Sequence, residues 1–273
     1  MSEALFVVDK VPGPTSFDVV RTVREMLGGA KVGHAGSLDP FASGVLVLLV
    51  GKATKLSGLL LNADKKYYGV IRLGEWTDTL DPTGTIEKTA PVPALTEEKI
   101  KEVLKSFEGT WAQTPPMYSA KKLHGVRLYE LARQDIRVRR QPIDVILHEV
   151  KFISYTEPEL HFEVSCSKGT YIRSLAEEIG ERLGTVAHLK ELRRLSCGQY
   201  TLGEALTVQA LEGQIPTAWK KGAELYRGLL QSEGVFRSQN AERAQAVARR
   251  DRSGAPNPPV LAGGSFANAD QRW

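Results

Sequence analysis

The 273-residue chain is 42% hydrophobic and 25% charged, an ordinary globular composition that suits one large domain or a main domain with a small appendage. Its longest uninterrupted apolar run, residues 45–50, is far too short to span a membrane, and the opening MSEALFVVDKVPGPTSF has no basic region followed by a long apolar core, so neither a membrane span nor a signal peptide is expected. The net charge of +4 favours an anionic partner without naming it, and Cys166 and Cys197 lack metal-type spacing and would stay reduced in a cytosolic setting.

In chain order, residues 6–9 read as a first strand. A helix is expected over 17–27: Thr15 or Ser16 can cap it, Phe17, Val20, Val23 and Leu27 form its apolar stripe, and Gly28 ends it. Residues 45–50 are apolar on both faces and read as a strand inside a sheet, followed by another at 67–73. A second helix begins near Thr96, with Ile100, Val103, Leu104 and Phe107 on one side and Gly109 beyond. Strands follow at 145–155 and 160–166, the latter alternating cleanly with Leu160, Phe162, Val164 and Cys166 inward. The third helix lies in TYIRSLAEEIGERLG, where Ile172, Leu175, Ile179 and Leu183 share a face, and a last strand is expected at 199–202. The fold class is α+β, a mixed α/β domain with a largely antiparallel sheet. From about Leu206 the pattern turns helical and charged. From Arg252 the tail is rich in Gly, Pro, Ala and Asn without periodicity and reads as disordered or loosely docked.

Residues 113–140, QTPPMYSAKKLHGVRLYELARQDIRVRR, hold seven cations (Lys121, Lys122, Arg127, Arg133, Arg137, Arg139 and Arg140) against Glu130 and Asp135. Tyr118 and Tyr129 are interleaved, as in surfaces that grip phosphates and stack on bases. A solvated basic loop fits the same residues; the Pro115-Pro116 pair, which stiffens the entrance, tilts the reading toward a functional excursion.

Two Asp-Pro turns stand out. Asp81-Pro82 is followed by polar Thr83 and Gly84, so it is expected to be a simple turn with a hydrated carboxylate. Asp39-Pro40 differs. Gly33, Gly36 and Gly44 surround it, and it opens the apolar 45–50 run, so its carboxylate is partly desolvated and needs a proton or a cation. Arg173 is one candidate. If Thr170 caps the third helix, Arg173 falls in its first turn, where a cation opposes the helix dipole by roughly 0.3–1 kcal/mol and so serves something outside the helix. From spacing alone, the simpler expectation is that Arg173 reaches solvent. The P-loop, G-x-S-x-G and H-E-x-x-H patterns are absent. Among the histidines, His161 is expected to be solvated, His148 and His188 carry no signal, and His34 and His124 sit in glycine-containing loops without looking like metal ligands.

Four separated stretches carry a resemblance. LFVVDKVPGPTSFDVVRTVREMLGGAKVGHAGSLDPFASGVLVLLVGKATKL, DKKYYGVIRLGEWTDTLDPTG, QTPPMYSAKKLHGVRLYELAR and VSCSKGTYIRSLAEEIGERLGTVAHLKELRR, in that order, closely resemble the TruB family of tRNA pseudouridine synthases over residues 5 to 203. The resemblance implies a pseudouridine synthase fold and the conversion of uridine to pseudouridine in the T loop of tRNA (position 55). It implies Asp39 as the catalytic carboxylate, Arg173 as its partner, Tyr67 as the residue stacking on the base, and His34 and Tyr171 beside the displaced nucleotide. Residues 113–140, with Lys121, Lys122, Arg127, Arg133, Arg137, Arg139 and Arg140, correspond to an insertion that clamps the RNA stem-loop. Gln134 and Asp135 stand where relatives usually have a Gly.

The organisation expected is a catalytic domain at 1–205, a small region at 206–251 in which no PUA-like RNA-binding domain can be asserted, and a disordered tail at 252–273. No cofactor, metal, membrane or obligatory protein partner is expected, and the location is cytoplasmic. Two other readings stay open: a non-catalytic RNA-binding or RNA-folding protein, and the catalytic subunit of a guide-RNA complex.

Overall fold

A computed structural model describes residues 3–231, apart from 120, 124, 135 and 137, with backbone only at 122, 123 and 127. The chain divides into two compact units, Met1–Arg227 and Gly228–Trp273. Of the second, only the helical residues 228–231 are described, so the expected disordered tail lies outside the described residues.

The first unit is built on one nine-stranded sheet. Its main path runs Glu3–Lys10, Ser43–Gly51, Ala187–Cys197, Lys65–Leu73, Glu159–Cys166, Ile143–Thr156 and Gly109–Gln113. All neighbours pair antiparallel except Ala187–Cys197 with Ser43–Gly51, joined in parallel through Arg193 opposite Ser43 and Arg194 opposite Gly44. The mixed, largely antiparallel class is as expected. Residues 44–50 are buried without a break, which is why their pattern reads as continuous apolar sequence, while Glu159–Cys166 alternates with its four apolar residues inward.

Helices cover both faces. Ser16–Met26 is capped by Thr15 in a reciprocal capping box with Asp18. It buries Val19, Val20 and Val23 against Phe6, Val8, Leu46, Leu48 and Val50. Phe17, expected on that stripe, faces out instead and is 67% exposed. On the other face, Glu97–Lys105 (capped by Thr96) and Ile172–Arg182 pack Ile100, Leu104, Leu175 and Ile179 onto Ile71, Leu160, Phe162 and Val164. The residue before the first turn of the third helix is Tyr171 rather than Thr170, but Arg173 still lies in that turn.

One long strand escapes the sequence reading. Ala187–Cys197 lies near the centre of the sheet, and of the strand expected at 199–202 only Tyr200–Thr201 forms, paired back onto it. Two register shifts, between Leu189 and Glu191 and between Arg194 and Ser196, break its alternation. Gly44 has φ +104°, and a side chain there would run into the Arg194 backbone, so this crossing of strands requires glycine.

Candidate active site

The Asp39 loop is suspended between a turn of the first helix and the start of a buried strand. Ser16 accepts a hydrogen bond from the Leu38 N–H at 2.8 Å and donates to the Leu38 carbonyl at 3.2 Å. Lys10, fully buried, donates from Nζ to the carbonyls of Val11, Pro40 and Ala42 at 3.0, 3.1 and 2.6 Å. Burial draws its pKa down to about 8, against the opposing pull of Asp39. The carbonyls that follow Asp39 are thereby held, and the carboxylate projects from a fixed frame.

Arg173 meets it side-on. Nε lies 2.9 Å from one carboxylate oxygen of Asp39 and Nη2 donates to the other at 3.3 Å. Nη1 donates to the Thr79 carbonyl at 2.9 Å and to Asp81 Oδ2 at 3.3 Å, and Nη2 also reaches the Tyr118 carbonyl at 2.7 Å. Five contacts match the five N–H donors of a guanidinium, a set that no ammonium can reproduce. Arg173 is 3% exposed, so it does not reach solvent.

Asp81 overturns the expectation of a hydrated turn. It is 5% exposed and ion-paired with the same arginine as Asp39. Its Oδ1 accepts from the hydroxyls of Thr79 and Thr83 and from the Thr83 N–H. Leu80, just before it, is held at φ +61°, a strained position for a branched side chain, with its carbonyl accepting from the Leu189 N–H at 3.1 Å. The polar neighbours that suggested solvation are the donors that satisfy the buried carboxylate.

The two carboxylates differ in exposure: the Asp39 side chain retains 38% of its surface and the Asp81 side chain 7%. Loss of hydration pushes the Asp39 pKa above its ordinary 3.8. Arg173 pulls it down, Asp81 pushes it up and Lys10 pulls it down again. A carboxylate that is open, oriented from both oxygens and set beside a second negative charge is suited to act as a nucleophile or base.

Tyr67 is buried on the central strand, opposite Arg194 in register. Burial pushes the phenol up to about 12, so it stays protonated. Arg194 itself is 1% exposed and also donates to Val45, Ser37 and Gly36 carbonyls, at 2.6, 3.3 and 3.1 Å. One buried cation, opposite the tyrosine in register, thus holds the loop that carries Asp39. His34, at the end of Val32–His34, is half-buried; loss of hydration and then the Arg194 charge lower its pKa, leaving a neutral ring. The Tyr171 N–H donates to Gln113 Oε1 at 2.9 Å, and burial pushes its phenol above the ordinary value. Sequence reasoning missed Arg194, Lys10 and Asp81.

The insertion is described in part. Lys122–Leu123 pairs with Val126–Arg127 in a minimal hairpin, followed by the short helix Leu128–Ala132. Lys121 is half-buried, Arg133 and Arg139 are exposed, and Arg133 lies 5.5 Å over the Tyr129 ring. Arg140 donates to the Pro115 carbonyl at 3.0 Å, clipping the two ends of the insertion together. His124 and Arg137 lie outside the described residues, and of Lys122 and Arg127 only the backbone is described. Elsewhere His161 Nδ1 meets the Tyr68 hydroxyl at 2.6 Å, and the buried His188 Nδ1 lies 3.0 Å from the Glu75 carbonyl. Among the described residues no group of three or more His, Cys, Asp or Glu is placed to hold a metal, and no helix is long and apolar enough to cross a membrane.

Two family models match this chain. Residues 24–172 match the TruB family pseudouridylate synthase (N terminal domain), and residues 173–233 match the tRNA pseudouridylate synthase B C-terminal domain. The chain belongs to the TruB family of pseudouridylate synthases. It is similar to the tRNA pseudouridine synthase B of Opitutus terrae (41% identity, 82% of this chain and 94% of that protein). It is likewise similar to the tRNA pseudouridine synthase B of Bordetella avium (44%, 77% and 87%) and of Chlamydia muridarum (46%, 75% and 84%). Among solved structures it resembles a chain of a Cbf5-Nop10-Gar1 complex, with TM-score 0.63 and 31% identity over 82% of this chain. The chain spans 57% of the length of that structure's chain.

Proposed function

We propose that this protein isomerises uridine to pseudouridine in the T loop of tRNA, at position 55, with Asp39 acting on a flipped-out base. The observation that carries the reading is the side-on Arg173–Asp39 pair, which keeps an open carboxylate ionised and aimed. The names of the family and of its curated relatives supply the substrate class.

In the reaction the C1′–N1 bond breaks, the base turns, and a C1′–C5 bond forms; C5 loses a proton and N1 takes one up. Nothing is oxidised. Asp39 is the group that attacks C1′ or removes a ribose proton. Tyr67 and Tyr171 offer ring faces to the extruded base, and His34 fills the space beside it. Arg173 keeps both carboxylate oxygens in place and contacts the insertion through the Tyr118 carbonyl. Residues 113–140, with Lys121, Lys122, Arg127, Arg133, Arg137, Arg139 and Arg140, clamp the T stem-loop by contacts to phosphate. The catalytic region is 1–205, with 206–251 a small appendage, and the protein works alone in the cytoplasm without a cofactor.

The likeness to a chain solved in a Cbf5-Nop10-Gar1 complex supports a second reading, a subunit that needs partner proteins. The higher identity and fuller coverage of the tRNA pseudouridine synthase B relatives favour the first.

The test is release of tritium from tRNA transcript labelled at uridine C5, with purified protein and no additions. Release confined to the T loop, lost in Asp39→Asn, is the expected result. Tight tRNA binding without release would overturn the stand-alone reading and leave the assembly subunit or a non-catalytic RNA binder.

A further inference from the structure

Phe17 is the largest unexplained apolar exposure beside the candidate site. At 67% exposed it stands at the start of a helix whose Val19, Val20 and Val23 are buried. Phe17, Val20, Arg21 and Arg24 recur at helical spacing and share a face. That face forms one wall of a groove of about 360 Å³, and Gly29, Lys31 and Val32 form the other. Arg21 is paired with Asp18 at 2.8 Å. Arg24 and Lys31, both exposed, have no carboxylate partner among the described residues.

Both walls lead to the Asp39 loop. Ser16, the residue before Phe17, carries the two hydrogen bonds to Leu38. The strand Val32–His34 leads straight into Ala35 and Gly36, whose carbonyl Arg194 holds. The elements that line the groove thus lead to the loop that carries Asp39, with an aromatic face on the groove and two cations that have no carboxylate partner among the described residues.

We propose that this groove is a second RNA-binding site, taking the unpaired nucleotides that neighbour the target uridine, with a base against Phe17 and phosphates against Arg24 and Lys31. The proposal rests on the isomerase reading for the identity of the RNA. An apolar peptide would strip water from two cations without pairing them. The chain's own residues 232–273 carry six arginines against four acidic side chains, the wrong charge for this wall. RNA supplies both the ring and the anion.

The experiment uses the full chain and unmodified T-loop tRNA transcript. Binding is measured across a salt series for wild type, Phe17→Ala, Phe17→Trp and the double variant Arg24→Glu/Lys31→Glu, and single-turnover tritium release is measured at saturating tRNA. Phe17→Ala is expected to weaken binding about 5- to 150-fold, the range for one lost base stack, and Phe17→Trp to restore it. The double variant should flatten the slope of log affinity against log salt by about one to one and a half. Rates at saturation should stay within about two-fold of wild type, because neither change touches Asp39 or its partners. Unchanged affinity and salt slope in both variants would overturn the proposal, as would weakening by Phe17→Ala that no aromatic rescues. A wild type that binds tRNA but releases no tritium would fail the isomerase reading, and the same binding series would still decide the groove.

Discussion

The two Asp-Pro turns are near twins in sequence, and they end on the same guanidinium. Asp81 is enclosed and saturated: three neutral donors on one oxygen and Arg173 on the other. Asp39 has, among the described residues, only Arg173 as a side-chain donor and keeps 38% of its side-chain surface open. On the proposed function, the same dipeptide supplies a reactive group and a fixed charge. What separates them is how many donors each has and how much of it a substrate can reach. A carboxylate whose lone pairs are all taken cannot also act on a ribose, whereas one gripped from one side can.

Exchanging each carboxylate for its amide breaks the comparison most directly. Asp39→Asn removes the reacting charge and is expected to reduce single-turnover tritium release at least about 10³-fold, with tRNA affinity nearly unchanged. Asp81→Asn should act on the same step but less, on the order of ten-fold. It leaves Asp39 in place and weakens the pairing of Arg173, where about 1.4 kcal/mol is a factor of ten. It should also move the acid limb of the pH–rate profile to lower pH, because the Asp81 charge pushes the Asp39 pKa upward. Equal losses from the two substitutions would mean that the two turns are not divided into reactive and fixed roles.

The sequence exposes one turn and hides the other for a physical reason. Asp39 announces itself because a local feature, the apolar run after Pro40, lies next to it in the chain. The burial of Asp81 comes from Arg173, ninety-two residues away, and from Leu189 on a strand that the sequence conceals. Ala187–Cys197 is written with Leu, Lys, Glu and Arg, good helix formers, and its two register shifts erase the alternation that marks a strand. Arg194 is hidden with it, since nothing in LRRL says which arginine turns inward; Arg193 goes to Asp9 at 2.8 Å and Arg194 into the core. The Glu159–Cys166 strand and the three long helices were legible because each alternates or repeats against one face. Phe17 was misread because capping by Thr15 and Asp18 fixes the helix start and sets the rotation of the stripe, leaving Val19 inward in its place.

The pH dependence of the wild type sharpens the comparison from both sides. In the proposed reaction ionised Asp39 is the active form, and its pKa is raised, so the rate should fall on acidification at a higher pH than an ordinary carboxylate near 3.8 would give. On the alkaline side the relevant group is Lys10, with a pKa of about 8. Its ammonium serves three carbonyls, two of them within three residues of Asp39, and the neutral amine has only two N–H groups. A several-fold fall in rate is therefore expected as pH rises through about 8. The sign of the linked stability is opposite. Between about 8 and 10.5 the unfolded chain binds this proton and the folded chain does not, so the contribution of Lys10 to stability rises with pH across that window. Single-turnover rates and urea midpoints at constant ionic strength separate the two. An alkaline loss of rate that tracks a loss of stability would point to unfolding instead of to the loop.

The smallest effect should come from removing one neutral donor to Asp81. Thr79→Val keeps the shape of the side chain and the backbone carbonyl that Arg173 uses, and deletes only the hydroxyl that donates to Oδ1 at 2.8 Å. Asp81 retains both donors of Thr83 and its pairing with Arg173. The expected result is about 1 kcal/mol lost in urea unfolding, the usual net value of one such hydrogen bond, with the rate within about two-fold of wild type. If the rate falls as far as in Asp81→Asn, the orientation of Asp81 rather than its charge sets the poise of Asp39. If only stability moves, the charge passes through Arg173 undiminished, and the neutral donors serve to keep a buried carboxylate where the arginine can share it.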